Sequence, residues 1–221
     1  FSDVEKWVKM AQKNGAENFE WTHLFWQWGV KYALRIYRSN QDRDSLLWDP
    51  ETGATSDTYR NFLSQFLPKF KEFLDTNDLM DKSFFHLSDE PHGNEHLANY
   101  RAARQLLKDV APWMKVIDAL SDIAYGREGL TDIPVPSIGT AMQFVEENIP
   151  AFAYYCCGPR GRYLNRLQET PLSKIRMHGW LFFTLKAGGF LHWGYNYWYK
   201  SQTQQVIDTF TNQAAGWWPG G

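Results

Sequence analysis

Cysteine is nearly missing from this chain: 221 residues carry two, the adjacent pair Cys156-Cys157. Neighbouring cysteines seldom bridge because the small ring they close is strained, and an adjacent pair matches no zinc spacing. A disulfide scaffold and a zinc finger are therefore excluded, and the pair reads as two buried thiols. Long hydrophobic runs are also lacking. No stretch of about 18 apolar residues offers a membrane-spanning helix, and no signal peptide opens the chain. Nor is there an excess of either charge, with 23 basic against 25 acidic residues and no basic cluster. A nucleic-acid or membrane-surface partner is not expected from that balance. Methionine is absent from position one, which reads as a mature or excised segment whose targeting information lay upstream.

Aromatics are abundant instead. Eleven Trp, 11 Tyr and 15 Phe make up 17% of the residues, and many sit beside glycines or polar residues rather than at periodic core positions. A flat ring covers the apolar C–H face of a sugar while its N–H or O–H reaches a hydroxyl, so such rings suit a carbohydrate cleft. A large core explains most of the Phe.

The sharpest local signal is Phe84-Phe85-His86-Leu87-Ser88-Asp89-Glu90-Pro91. Its apolar part is too short for a helix, and Pro91 cannot continue a strand ladder, so it reads as a buried strand that delivers Asp89 and Glu90 to a strand-to-loop boundary. At such a boundary adjacent side chains need not point to opposite faces, and both carboxylates can reach one cleft. Two like charges in one apolar site push one of the groups toward the protonated form, the chemistry a glycosidase needs. The competing reading is a pair of helix-capping or surface acids.

The flanking pattern alternates. Helices are expected at 2–14, capped by Ser2 and stopped by Gly15, and at 57–76, with Phe62, Phe66, Phe70 and Phe73 as a core stripe. Further helices are expected at 94–110, 140–148 and 172–186, with a short polar helix after residue 118. Strands are expected at 18–25, 83–88, 114–118, 133–135, 151–156 and 189–193, and residues 39–57 read as a long loop. Strands alternating with helices imply parallel pairing and right-handed crossovers. The expected fold is thus an α/β TIM (β/α)8-type barrel, a single partial domain over 1–221 with about six βα units. Since such barrels usually need ~250 residues, the chain is expected to be most of a barrel whose first two units are missing and are supplied by an absent segment or a partner chain, or else an open variant of one.

Barrel sites lie at the carboxyl ends of the strands, which directs attention to the residues closing each one. These ends supply His23 and Trp28, then Asp89 and Glu90, then Asp118, then Tyr154 and Tyr155, and finally Trp193, Asn196 and Tyr197. Trp193 suits stacking under a sugar ring, and Tyr155 suits a hydrogen bond to the bound sugar. Asn165, Arg166 and Asn196 suit hydroxyl recognition, because an unpaired polar group in a closed pocket is costly. Alternatives stand beside them: Arg166 pairing with a structural carboxylate, and His23 and His192 packing as neutral rings. Trp21 and Trp180 read as packing residues. His86, Asp89, His92 and His96 crowd one region, but no distant further ligand accompanies them, so no metal is expected.

Four blocks taken in order resemble the catalytic domain of glycoside hydrolase family 123. They are His86-Leu87-Ser88-Asp89-Glu90-Pro91, Ile117-Asp118-Ala119, Tyr154-Tyr155-Cys156-Cys157 followed by Asn165-Arg166, and Gly189-Phe190-Leu191-His192-Trp193-Gly194-Tyr195-Asn196. The resemblance implies a β-N-acetylgalactosaminidase that retains configuration through substrate assistance and uses no cofactor. It implies that Asp89 orients the acetamide and that Glu90 serves as acid and then base. A vicinal pair fits that scheme, since a retaining pair with a separate enzyme nucleophile lies on different strands ~5 Å apart. The implied partner is a glycan or glycoconjugate, and the implied setting is extracellular or periplasmic. A sugar-binding barrel without turnover is the rival from another class.

Overall fold

A computed structural model describes residues 1–39, 42–194, 208 and 211. The first helix, α1 (Ser2–Lys13), places Ser2 inside its first turn, with Phe1 at the N-cap. After it come β1 (Phe19–Trp21), β2 (Tyr37–Ser39), β3 (Asp42–Leu46), α2 (Asp57–Thr76), β4 (Ser83–Phe85) and α3 (Gly93–Val110). The order continues with β5 (Ile117–Ala119), α4 (Ile123–Arg127), β6 (Ile133–Val135), α5 (Ala141–Glu146) and β7 (Ala153–Tyr154). It closes with α6 (Leu172–Arg176), α7 (His178–Thr184) and β8 (Phe190–Leu191).

The expected TIM (β/α)8-type barrel does not form. The architecture is mixed α/β, and the described residues form four separate two-stranded sheets, β1-β4, β2-β3, β5-β6 and β7-β8, none of them closed. The β1-β4 and β5-β6 pairs are parallel, as alternation with helices requires. Among the described residues, single parallel bridges, Phe85 to Val116 and Ser137 to Tyr154, lie between these ladders. The reason is strand length: β4 and β5 hold three residues each and β7 two, too few to sustain a continuous ladder across neighbours. The segment read as a loop contains an antiparallel pair, β2 with β3, whose polar residues carry no alternating signal.

Two compact units result, Phe1–Phe190 and Leu191–Gly221. The core of the first is organised by α2, which buries Tyr59, Leu63, Leu67, Phe70, Phe73 and Leu74 at spacings of three and four. Ser56 caps this helix by accepting from the Tyr59 N–H at 3.3 Å. Along its flank Phe62, Phe66 and Phe70 stack at centroid spacings of 5.6 and 5.7 Å, and Phe73 continues the row. Each fully buried Leu or Phe of this face contributes about 1.5–3 kcal/mol. On α3, Leu97, Tyr100, Ala103, Leu106 and Leu107 are buried. Buried Arg104 is satisfied by Asp132 at 2.8 Å and by the Leu130 carbonyl at 3.0 Å.

A smaller cluster gathers Ile138, Ala141, Ala153, Tyr155 and Leu185. The helix expected over 172–186 is broken at Met177 into α6 and α7, and Trp180, expected to pack, is 69% exposed. Gly189 has a steric role, because a Cβ there would stand 2.5 Å from the Phe152 ring. Cys156 and Cys157 are free and half-buried, more open than expected. In the second unit, His192 Nδ1 lies 2.7 Å from the Gly194 carbonyl, and Thr211 Oγ1 lies 3.0 Å from Asp208 Oδ2.

Candidate active site

The acid pair owes its position to a strand that stops early. β4 ends at Phe85 rather than at Ser88 because the next backbone donors turn to a side chain. The Leu87 N–H lies 3.1 and 3.2 Å from the two oxygens of Asp118, and the Ser88 N–H lies 3.4 Å from Oδ2. Asp118 is fully buried. Its remaining capacity goes to Tyr100 Oη at 2.5 Å and His86 Nδ1 at 3.2 Å. The carbonyls of His86 and Leu87 accept from Leu24 and Phe25, both at 3.0 Å, and Ser88 Oγ donates to the Trp26 carbonyl at 2.9 Å. One carboxylate thus substitutes for a missing strand edge and fixes the backbone that leads into Asp89 and Glu90.

The electrostatics of this anchor follow from its burial. Desolvation alone would push His86 down, but hydrogen bonds and charges from Asp118 and Glu20 outweigh it and raise the imidazole to about 9. Burial also raises the Asp118 carboxyl, an effect that His86, Tyr100 and the Ser88 N–H oppose. At neutral pH the raised value favours the imidazolium form of His86, paired with the buried Asp118. His23, with its ring 5.8 Å from that of His86, is held below 6.5, first by burial and further by the His86 charge, with Asp89 and Asp118 opposing. It is a neutral imidazole beside the acid pair.

Asp89 and Glu90 are both half-buried. Asp89 Oδ2 accepts from Gln27 Nε2 at 2.7 Å, and the Asp89 carbonyl accepts from the Trp28 N–H at 2.9 Å. Glu90 donates its own N–H to the Ala119 carbonyl at 2.9 Å. Its φ of +43° puts it in the left-handed region, where non-glycine residues are uncommon. That turn of the backbone breaks strand alternation between the two acids. Glu90 Oε1 then accepts from Tyr154 Oη at 2.5 Å. Among the described residues, no hydrogen bond reaches Asp89 Oδ1 or Glu90 Oε2.

Residues 26–30 form a second loop at the acids. Trp28 and Val30 both have positive φ, at 63° and 53°, and the Trp28 indole is 54% exposed. From α3, Asn99 Nδ2 holds the Gly29 carbonyl at 3.0 Å, and a Cβ at Gly29 would meet His96 Nε2 at 3.2 Å. His92 and His96 are in ring contact, and the His92 N–H donates to His96 Nδ1 at 3.1 Å. No group of three or more metal-type ligands occurs among the described residues.

The other sequence candidates fall elsewhere. Tyr155 is buried in the smaller cluster, with the Arg166 guanidinium 5.5 Å above its ring. Arg166 also lies 5.3 Å over Phe190, so it makes cation-π contacts rather than the carboxylate pair considered as an alternative. Asn165 is buried and spends its amide on the carbonyls of Cys156 and Pro159, both at 3.0 Å, and on the Arg166 N–H at 2.6 Å. Trp193 belongs to the second unit and is 54% exposed. Asn196 and Tyr197 lie outside the described residues. The first unit thus brings together Asp89, Glu90, His23, Trp28 and, beneath them, Asp118.

Sequence reasoning passed over Gln27, Tyr100 and the choice of Tyr154 in place of Tyr155. Only the last had a signal. Successive strand residues point to opposite faces, so one tyrosine of the pair had to turn away from the acids, and the buried face claims Tyr155.

The geometry is thus a half-buried acid pair four and five residues beyond the end of the parallel strand β4, each carboxylate steadied through one oxygen by a neutral donor. The chain belongs to the family described as glycoside hydrolase 123, catalytic domain, which it matches over residues 1–221. It is also similar to a solved structure, from Clostridium perfringens, of a family 123 glycoside hydrolase described in terms of glycolipid glycan hydrolysis. That likeness has 18% identity and a TM-score of 0.64, and it covers 89% of this chain but 36% of the other. At that identity it speaks for the fold alone, and the chain spans little more than a third of that protein's length. No curated protein matches the sequence. No helix among the described residues is long and apolar enough to cross a membrane.

Proposed function

We propose that this chain carries the hydrolytic site for terminal β-linked N-acetylhexosamine, N-acetylgalactosamine first, and that it acts with retention through substrate assistance. One observation carries this reading: adjacent carboxylates, each bound through one oxygen, Asp89 by Gln27 and Glu90 by Tyr154. In the first step the acetamido oxygen bonds to the anomeric carbon as the glycosidic bond breaks. The bonding pair stays on the leaving oxygen, which takes the proton from Glu90. Asp89 accepts the acetamide N–H and balances the charge that develops on the oxazolinium ring. In the second step water gives a proton to Glu90 while its oxygen bonds to the same carbon, and the ring opens to restore the acetamide. Two neighbouring acids thereby serve two atoms of one sugar residue.

The test is release of nitrophenol from p-nitrophenyl β-N-acetylgalactosaminide and β-N-acetylglucosaminide. Turnover is expected on the former, with inhibition by a thiazoline mimic of the oxazolinium ring; turnover without inhibition would point to an enzyme nucleophile. Gln27→Ala is expected to lower kcat/KM roughly tenfold, since Asp89 loses a hydrogen bond that fixes its orientation. An unchanged value would remove Gln27 from the site. The substrate in nature is read as a glycan or glycoconjugate met outside the cytoplasm, in an extracellular or periplasmic setting, with the rest of a longer protein or another chain completing the cleft.

A further inference from the structure

We propose that Tyr154 is a positioning residue for Glu90, holding the carboxyl so that the transferable proton resides on Oε2; this rests on the acid/base role proposed above. The phenol donates to Glu90 Oε1 at 2.5 Å, and no other side chain among the described residues bonds to that carboxylate. Tyr154 is well placed to impose a direction. Its backbone is gripped on both sides, with its N–H donating to the Pro136 carbonyl at 3.1 Å and its carbonyl accepting from the Ile138 N–H at 3.0 Å. The Glu90 backbone is equally restrained by its N–H bond to Ala119 and its left-handed φ. Beyond that fixed backbone, the phenol restrains the carboxyl itself through Oε1.

The donor also persists. Burial, and then the Glu90 carboxylate itself, hold the Tyr154 hydroxyl well above the usual phenol range, so it keeps its proton at any pH at which the enzyme works. Two kinetic consequences follow. A carboxyl free to turn would present its proton to the leaving oxygen only part of the time, whereas a fixed one is held near the attack geometry. The hydrogen bond also strengthens as Glu90 becomes a carboxylate, which is the change that occurs when the leaving oxygen takes its proton. Tyr154 therefore stabilises the transition state more than the ground state, and only where departure needs a proton.

That restriction separates positioning from mere structural support. Tyr154→Phe keeps the ring and removes the donor. On aryl β-N-acetylgalactosaminides with poor leaving groups, kcat is expected to fall roughly 10- to 100-fold, with KM changed less than about twofold. On the dinitrophenyl glycoside, whose leaving group departs without protonation, the loss is expected to stay within about threefold. Fluorotyrosine at position 154, which keeps both shape and donor, is expected to restore the wild-type dependence on leaving group and covers the case of a poorly folded Phe variant. Equal losses across the series, or no loss, would overturn the assignment while leaving the proposed function standing. A folded wild-type chain inactive on every aryl N-acetylhexosaminide would overturn that function and the Tyr154 role with it.

Discussion

Glu90→Gln is expected to lower kcat on p-nitrophenyl β-N-acetylgalactosaminide by about 10²–10⁴-fold, the contribution typical of a positioned general acid/base. The amide is nearly isosteric. It keeps a carbonyl oxygen for the Tyr154 hydroxyl and leaves the Glu90 N–H bond to Ala119 untouched, so the circular dichroism spectrum should match that of the wild type. It cannot give or take the proton. Both steps therefore suffer, and an activated leaving group rescues only the first. A variant retaining more than a tenth of wild-type kcat on every substrate would show that Glu90 is not the acid/base.

Asp118→Asn carries the largest expected effect on stability. The wild-type carboxylate accepts from Leu87, Ser88, Tyr100 and His86 while fully buried. An amide has one accepting oxygen, and its NH2 group would face donors. Among the described residues, it also leaves the His86 imidazolium with only Glu20, at 3.8 Å, as counter-charge. Removing one partner of a buried pair costs about 3–5 kcal/mol, so denaturant unfolding should show a large fall in midpoint with an unchanged slope. A loss below about 1 kcal/mol would mean that the anchor contributes little net energy.

The same pair fixes the direction of a pH effect. His86 rises from an ordinary 6.5 to about 9 in the folded protein. A raised histidine stabilises fully below its unfolded value, and that contribution is lost as the pH climbs through about 9. Wild-type stability is expected to decline across that alkaline window. In Asp118→Asn the decline should be shallower, because the main group holding the proton on His86 is gone. Thermal unfolding of both proteins across pH 7–10 reads the difference, and parallel curves would contradict it.

Much of the helical frame was legible. The stripe of Phe62, Phe66, Phe70 and Phe73 announces α2 because hydrophobic spacing survives any tertiary context. That Asp89 and Glu90 follow a short buried strand was legible too, because an apolar run ending in Asp-Glu-Pro is a local statement. What could not be read was where the strands stop. Residues 86–88 look like strand, yet the Leu87 and Ser88 donors go to Asp118, 31 and 30 positions further along the chain. The barrel expectation failed for this reason: periodicity reports which face is apolar, not whether backbone groups find a neighbouring ladder. Asp118 was read as substrate-facing because it closes a strand, and only its burial reveals the network it serves. Gln27 lies sixty-two residues from Asp89 and carries no pattern at all.

The left-handed backbone at Glu90 sets folding against chemistry at a single residue. Glycine or asparagine would occupy φ of +43° at lower cost than glutamate, by an amount on the order of 1 kcal/mol. Neither can shuttle a proton. A laboratory selection that rewards heat resistance alone would therefore drift toward those residues and silence the site, so a library intended to harden this fold has to hold position 90 constant.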